Sequence, residues 1–483
     1  MSAYQGIVRD RMTQRNMTAD DAVRGAYAAV QAGEFAAARD MTAPWTAHPA
    51  GALLHALGRA GAGDWPGGAA ELRAIAQANP TARHPALDLV DLLRRHARDP
   101  APLLRAALAL QPRHPGLLTA LGAACAEAGP MAAAVDAFQR AAAARPDDAA
   151  AWSNLAKALA ATGAFDAAES AFARAAALRP SDPQITLNRA VATLKAGRLP
   201  AGWPLFRART ALPGRAPAPG GPELRSIDDV AGRTVLLVHD EGLGDTLQFI
   251  RYAPLLEQLG AHVIAAVPPP LQRLLAFNGI ALMAGRTAQY DGWCRIPDLP
   301  GLFGTALDTI PNALPYLRPD PALVAQWRPR MPDGRRVGLV WAGASRSHDP
   351  AASATDRIRS IAEARLGPLL ASPGVTWISL QHGRPAPPSL FDPMPDVVDF
   401  ADTAAIVATL DMVISVDTSV AHLAAAMGKR VLLLDRYDNC WRWLHGRNDS
   451  AWYPGVLRII RQTTPGDWDE VLARAAELVG TKA

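Results

Sequence analysis

The chain has 483 residues, of which 49% are hydrophobic and 19% charged, with 12 Trp and a formal net charge of +4. At roughly 150 residues per domain there is room for about three domains, and the apolar content excludes wholesale disorder. The cysteines, Cys125, Cys294 and Cys440, are scattered without a CxxC pair, and the lysines are only Lys157, Lys195, Lys429 and Lys482. A disulfide framework, a Cys-rich zinc site and a basic nucleic-acid arm are therefore all excluded as organising principles.

The N-terminal stretch carries charges throughout and lacks an apolar core segment, unlike a secretory signal. No run of about 18 uncharged apolar residues occurs. The expectation is a soluble, cytoplasmic protein in a reducing compartment.

Residues 115–148 and 149–182 align on each other with a period of about 34 residues. Leu121, Gly122, Gly129, Ala134, Phe138, Ala141 and Pro146 of the first fall opposite Leu155, Ala156, Gly163, Ala168, Phe172, Ala175 and Pro180 of the second. Each unit reads as two amphipathic helices. Gly129 and Gly163 stand at the turn, where positive φ costs a glycine little. Ala134 and Ala168 let the two helices approach, and the prolines end the second helix because they cannot continue its ladder. The spacing resembles the tetratricopeptide repeat. Weaker units begin near residues 19, 49, 81 and 183, with turn glycines at Gly33, Gly63 and Gly197. Such an array presents a concave groove to a peptide or protein, or else braces its neighbour.

Residues 211–222, ALPGRAPAPGGP, mark a boundary. Beyond it the period changes. Apolar strands are expected at 234–240, 262–267, 336–343, 376–381, 412–416 and 430–435. Helices are expected after 245, at 269–277 and 402–410, from Thr418, and at 466–480. Strands alternating with helices specify parallel sheets. The expected organisation is a helical repeat solenoid over 1–210, a linker over 211–228, and twin α/β Rossmann-like units over 229–320 and 321–483. The terminal helix is expected to cross back onto the first α/β unit.

Ligands bind at the carboxyl ends of parallel strands, and two loops stand out there. The first runs from Glu241 through Gly242, Leu243 and Gly244 to Asp245, with Gln248 one turn on. Asp245 is either a helix cap or a general base able to take a proton from an attacking hydroxyl. The second holds Ser415, Asp417, Thr418 and Ser419, with His422 four residues after Thr418. Its polar side chains and backbone N–H groups open a helix, a setting that suits phosphate, and Asp417 suits sugar hydroxyls. His422 is either a packing histidine or a ligand to the same site. Asp467-Trp468-Asp469 is the one Asp-x-Asp and reads as a helix cap, so no catalytic metal and no cofactor is expected.

Several segments together resemble a bacterial group that fuses tetratricopeptide repeats to a GT-B domain related to glycosyltransferase family 9, the heptosyltransferases. They are DEGLGDTLQFIRYAPLL (240–256), VGLVWAG (337–343), DRIRS (356–360), SLQ (379–381), DFADTAAIVATLDMVISVDTSVAHLAAAMGK (399–429) and WRWLHGRNDSAWYPGVLRIIRQ (441–462). The resemblance implies inverting, metal-independent transfer of a sugar from a nucleotide-activated donor. Under it Asp245 is the base, with Glu241, Gly242, Gly244 and Gln248 in the acceptor-side loop. The donor side holds Asp417, Thr418, Ser419, His422, Ser415, Arg359, Ser360, Gln381, Trp341 and Gly343. After Gly343 the chain reads Ala-Ser-Arg-Ser-His where relatives often have Asn-Pro and then His, which leaves His348 without a clear role. Repeats beside a transfer site imply a protein acceptor, flagellin or another surface protein. The alternatives are a lipopolysaccharide, polysaccharide or lipid-linked acceptor, and a scaffold that has lost activity.

Overall fold

A computed structural model describes residues 18–96, 98–228, 230–283, 285, 289–344 and 350–480. Among the described residues twelve α-helices come first, in pairs: α1 (Ala19–Ala32) and α2 (Phe35–Thr42), α3 (Pro49–Gly61) and α4 (Trp65–Ala78), α5 (Pro85–Arg95) and α6 (Ala101–Leu110), α7 (Pro115–Ala128) and α8 (Met131–Ala144), α9 (Ala149–Ala161) and α10 (Phe165–Leu178), α11 (Pro183–Lys195) and α12 (Leu199–Phe206). The pairs start where the repeat spacing places them. Small residues allow close approach within a pair: a methyl group on Gly122 of α7 would stand 2.7 Å from the Phe138 ring of α8. Gly33, Gly63, Gly163 and Gly197 adopt positive φ at the turns. Gly129 does not. It is extended (φ −135°, ψ −177°), because Pro130 follows it and disfavours helical geometry in the residue before.

Two parallel sheets follow among the described residues. In the first, β1 (Thr234–Val238) lies between β2 (His262–Ala266) and β3 (Gly292–Arg295). In the second, of order β5-β4-β6-β7-β8, the strands are β4 (Arg335–Val340), β5 (Val375–Ser379), β6 (Met412–Val416), β7 (Val431–Asp435) and β8 (Leu457–Arg461). All ladders are parallel. β3 and β8 were not anticipated. GWCR is short, and LRIIR carries arginines at its second and last positions.

β6 and β7 are buried along their whole length, as covering on both faces requires. Alternation then assigns the faces. Val413, Val431, Leu433, Leu457 and Ile459 join a core that also holds the first sheet and Ala190, Leu194, Leu199, Trp203 and Phe206 of α11 and α12. Met412, Ile414, Val416, Leu432 and Leu434 face the opposite way and pack with Trp468, Val471, Leu472, Ala475 and Val479. The terminal helix, Asp469–Gly480, therefore lies on the second sheet. The expected crossing back onto the first α/β unit is not seen, because the apolar stripe of this helix is consumed by the outer face of the sheet at β7 and β8.

The chain divides into two compact units, one ending at Ala158 and one from Leu159 onward. The last repeat helices thus belong with the sheets, and the common core around Trp203 is the physical reason. Among the described residues, no helix is long and apolar enough to cross a membrane.

Candidate functional site

The β1 loop is held from both ends. Glu241 takes a positive φ of 65°, uncommon for a residue with a Cβ. Its carboxylate lies 2.7 Å from Arg215 Nη1 and 3.6 Å from Arg209 Nε, while Asp240 accepts from Arg209 at 3.2 Å. Arg209 is fully buried, and Asp298 completes its pairing at 2.7 Å. Glu241 is thereby turned toward the repeat end and the linker.

Helix α13 (Leu243–Phe249) starts at this loop. The Gly242 N–H donates to Asp245 Oδ2 at 3.0 Å, so Asp245 does cap its helix. Its other oxygen, Oδ1, accepts from Arg442 Nη2. The guanidinium of Arg442 lies over the Trp441 ring, 4.4 Å from its centroid, and over Phe249 at 5.8 Å. Asp245 and Phe249 are one helical turn apart, so a single cation covers both. Gln248 is fully buried, and among the described residues neither amide atom has a partner.

The β6 loop opens α14 (Ser419–Ala426). Ser415 is buried and donates to the Val416 carbonyl at 2.6 Å, with the Thr418 hydroxyl 2.9 Å away. Thr418 gives the helix no side-chain cap. His422 shares a hydrogen bond with Tyr453 Oη at 2.8 Å through Nδ1 and stacks on Trp443, centroids 5.1 Å apart. Its Nε2 lies 4.0 Å from Asp417 Oδ1. Burial pushes its pKa down to about 4, against the attraction of Asp417 and with added repulsion from Arg251. The imidazole is therefore neutral near pH 7.

The two helices meet. A methyl group on Gly244 would stand 2.9 Å from His422 Cδ2 and 3.4 Å from Ser419 Cα. The carboxyl ends of β1 and β6, on separate sheets, are thus brought together.

The remaining expected residues gather at the ends of β4 and β5. Arg359 donates to the Asp417 carbonyl at 3.1 Å and pairs with Asp356 at 2.7 Å. It lies flat on Gly343, where a methyl group would come within 2.4 Å of its Nε. Ser360 Oγ accepts from the Gly343 N–H at 3.2 Å. Gln381 is buried and accepts from the Trp341 and Ala342 N–H groups at 3.2 and 2.9 Å. Trp341, Ser360 and Gln381 hold the backbone in place, whereas Arg359 carries a charge to the β6 loop. His348 lies outside the described residues. Asp467 Oδ1 accepts from the Asp469 N–H at 3.1 Å, the capping expected of it. Among the described residues no three His, Cys, Asp or Glu side chains gather into a set able to hold a metal.

Sequence reading missed Arg442, Trp443, Tyr453, Arg251 and Asp435. Arg251 is buried against Tyr316 and Tyr453, its charge held by the Gln248, Pro311 and Trp452 carbonyls. Asp435 ends β7 beside Arg461, and burial raises its pKa to about 6. The signal for Arg442, Trp443 and Tyr453 was present only as composition, in the aromatic and arginine-rich run 441–462.

The sequence matches the tetratricopeptide repeat family over residues 94–149, 128–183 and 153–216. It matches glycosyltransferase family 9 (heptosyltransferase) over residues 397–442, a span that contains the β6 loop and ends on Arg442. It is 28% identical over 323 residues to Protein FlbA of Caulobacter vibrioides, a match covering 58% of this chain and 52% of that protein. The chain thus spans about half the length of that relative. The crystal structure of MamA is 19% identical with a TM-score of 0.24, over 32% of this chain and 91% of that one. YrrB, described as a TPR protein with an unusual peptide-binding site, is 15% identical with a TM-score of 0.26, over 33% of this chain and 84% of that one. The chain thus joins helical repeats that match the tetratricopeptide family to a parallel-sheet α/β region that matches glycosyltransferase family 9 over the span holding its β6 loop.

Proposed function

We propose that the chain is a glycosyltransferase of the GT-B kind that moves a sugar, with inversion and without a metal, from a nucleotide-activated donor to a protein acceptor recruited by the repeats. The observation that carries this reading is the meeting of α13 and α14 at Gly244, which sets Asp245 of one sheet beside the Asp417–His422 turn of the other. The acceptor hydroxyl attacks the anomeric carbon on the face opposite the nucleoside diphosphate. A C–O bond forms as the bond to the diphosphate breaks, and Asp245 takes the hydroxyl proton. The departing diphosphate places its charge against Arg359 and the uncapped N-terminus of α14. Asp417 accepts from sugar or ribose hydroxyls. Flagellin or another surface protein is the favoured acceptor.

Calorimetric titration of the full chain with ADP-, UDP-, GDP- and CMP-linked sugars tests the donor site. One of them saturates, and Asp417→Ala weakens it at least tenfold; no saturable binding of any nucleotide sugar defeats the reading. Chelator leaves turnover intact, and a loss restored by Mn²⁺ or Mg²⁺ would contradict metal independence. Intact-mass comparison of surface proteins from cells with and without the gene tests the acceptor. A change confined to polysaccharide would replace the protein acceptor with a glycan.

A further inference from the structure

The segment from Asp438 to His445 touches the repeat helices on one side and the candidate site on the other. On the repeat side, Lys195 of α11 is 2% exposed and donates to Asp438 at 2.6 Å. The Lys195 carbonyl accepts from the His445 N–H at 3.1 Å. Trp203 of α12 meets Trp441 edge-on at 5.4 Å. On the site side, the next residue, Arg442, holds Asp245 Oδ1, and Trp443 stacks on His422. Sequence neighbours thus alternate between the two sides.

We infer that this segment is a strap by which the last repeat helices set the candidate base, with Arg442 as the positioning residue that orients and charges Asp245. The inference rests on the reading of Asp245 as base. A guanidinium presents fixed N–H groups, so a carboxylate held by it keeps one oxygen and one direction. The Gly242 N–H fixes the other oxygen, and lone pairs remain on both for an incoming hydroxyl. Arg442 in turn has its Nη1 on Cys440 Sγ at 3.1 Å and its face on Trp441, and Trp441 is fixed by Trp203 and Phe206 of α12. Besides the Cys440 thiol, Glu241, Tyr453 and Arg209 face Arg442 among the described residues, and Arg209 belongs to the end of the repeat region as well. The repeats are then part of the site's construction and not only an adaptor for an acceptor.

The test reads Asp245 directly, in the full chain and without any sugar donor. Carboxyl-¹³C aspartate labelling, with Asp245→Asn to identify the resonance, follows its titration. Arg442→Gln should raise the Asp245 midpoint by about one to three pH units, the usual effect of losing an adjacent opposite charge. Arg442→Lys should recover part of that shift. Lys195→Met removes the buried ammonium from one of the strap's ties without stranding an ion, since Asp438 is half exposed; it loosens the strap and should move the midpoint the same way by a smaller amount. A wild-type midpoint in Arg442→Gln, with a folded circular-dichroism spectrum, overturns the positioning role. A shift in Arg442→Gln with none in Lys195→Met overturns the link to the repeats. Failure of the glycosyltransferase reading would appear instead as absent nucleotide-sugar binding with these midpoints still shifted.

Discussion

Gly244 lies so close to His422 that a methyl group in its place would stand 2.9 Å from the imidazole Cδ2. This contact joins two strand-to-helix loops from different sheets, and it explains a glycine in the first turn of a helix. Gly244→Ala should raise local helix propensity yet destabilise the chain by about 1–3 kcal/mol through overpacking. It should also weaken nucleotide-sugar binding by parting the loops. A urea melt beside a binding titration checks both, and a more stable variant with unchanged affinity would show that the loops do not depend on this approach.

Asp245→Asn separates the two roles of that residue. Asparagine keeps a cap acceptor for the Gly242 N–H, but it cannot take a proton or pair with Arg442. Turnover should fall by about 10²–10⁴, the range of a general base. Stability should fall by about 1.5–3 kcal/mol for the lost charged hydrogen bond. The rate must therefore be measured well below the melting temperature. Wild-type turnover would end the assignment of Asp245 as base.

His422 gives the site a pH signature. Its folded pKa is about 4 because burial penalises the imidazolium, whereas an unfolded histidine titrates near 6.5. Between those values the unfolded chain binds the proton and the folded chain does not, so this group's contribution is complete above about pH 6.5 and is lost as pH falls toward 4. Asp435, raised to about 6, has the opposite sign and favours the folded state as pH falls over the same window. Comparison with His422→Gln isolates the histidine. Between about pH 7.5 and about pH 5 the wild type should lose roughly 2 kcal/mol more than the variant. Parallel losses in urea melts would mean that His422 is readily protonated in place.

Truncation points follow from the compact units. Phe165 of α10 meets the His445 ring at 5.6 Å, and Gly163 lies beside the same ring. A chain beginning at Asp148 keeps both; one beginning at Pro183 loses both and leaves the strap held only by α11 and α12. The first should keep the nucleotide-sugar affinity of the full chain and lose use of a protein acceptor. The second should also lose affinity and melt lower. Equal donor affinity in the two would show that α10 contributes nothing to the site.

Periodicity alone determined a great deal of this protein. The repeat spacing located the helix pairs, because each must bury one stripe against its neighbour, and the apolar runs located β1, β2 and β4 to β7, because strands covered on both faces have few polar positions. Loops following such strands are where polar residues collect, so Asp245, Asp417, Thr418 and His422 stand out in the sequence itself. The tertiary structure decided what those residues touch. Arg442 reaches Asp245 across 197 positions, and Tyr453 and Trp443 enclose His422 from a run that has no periodic signature. It also decided where the terminal helix lies. Local pattern records which surface a segment must bury; the identity of the partner across a long loop is fixed only when the whole core closes around it.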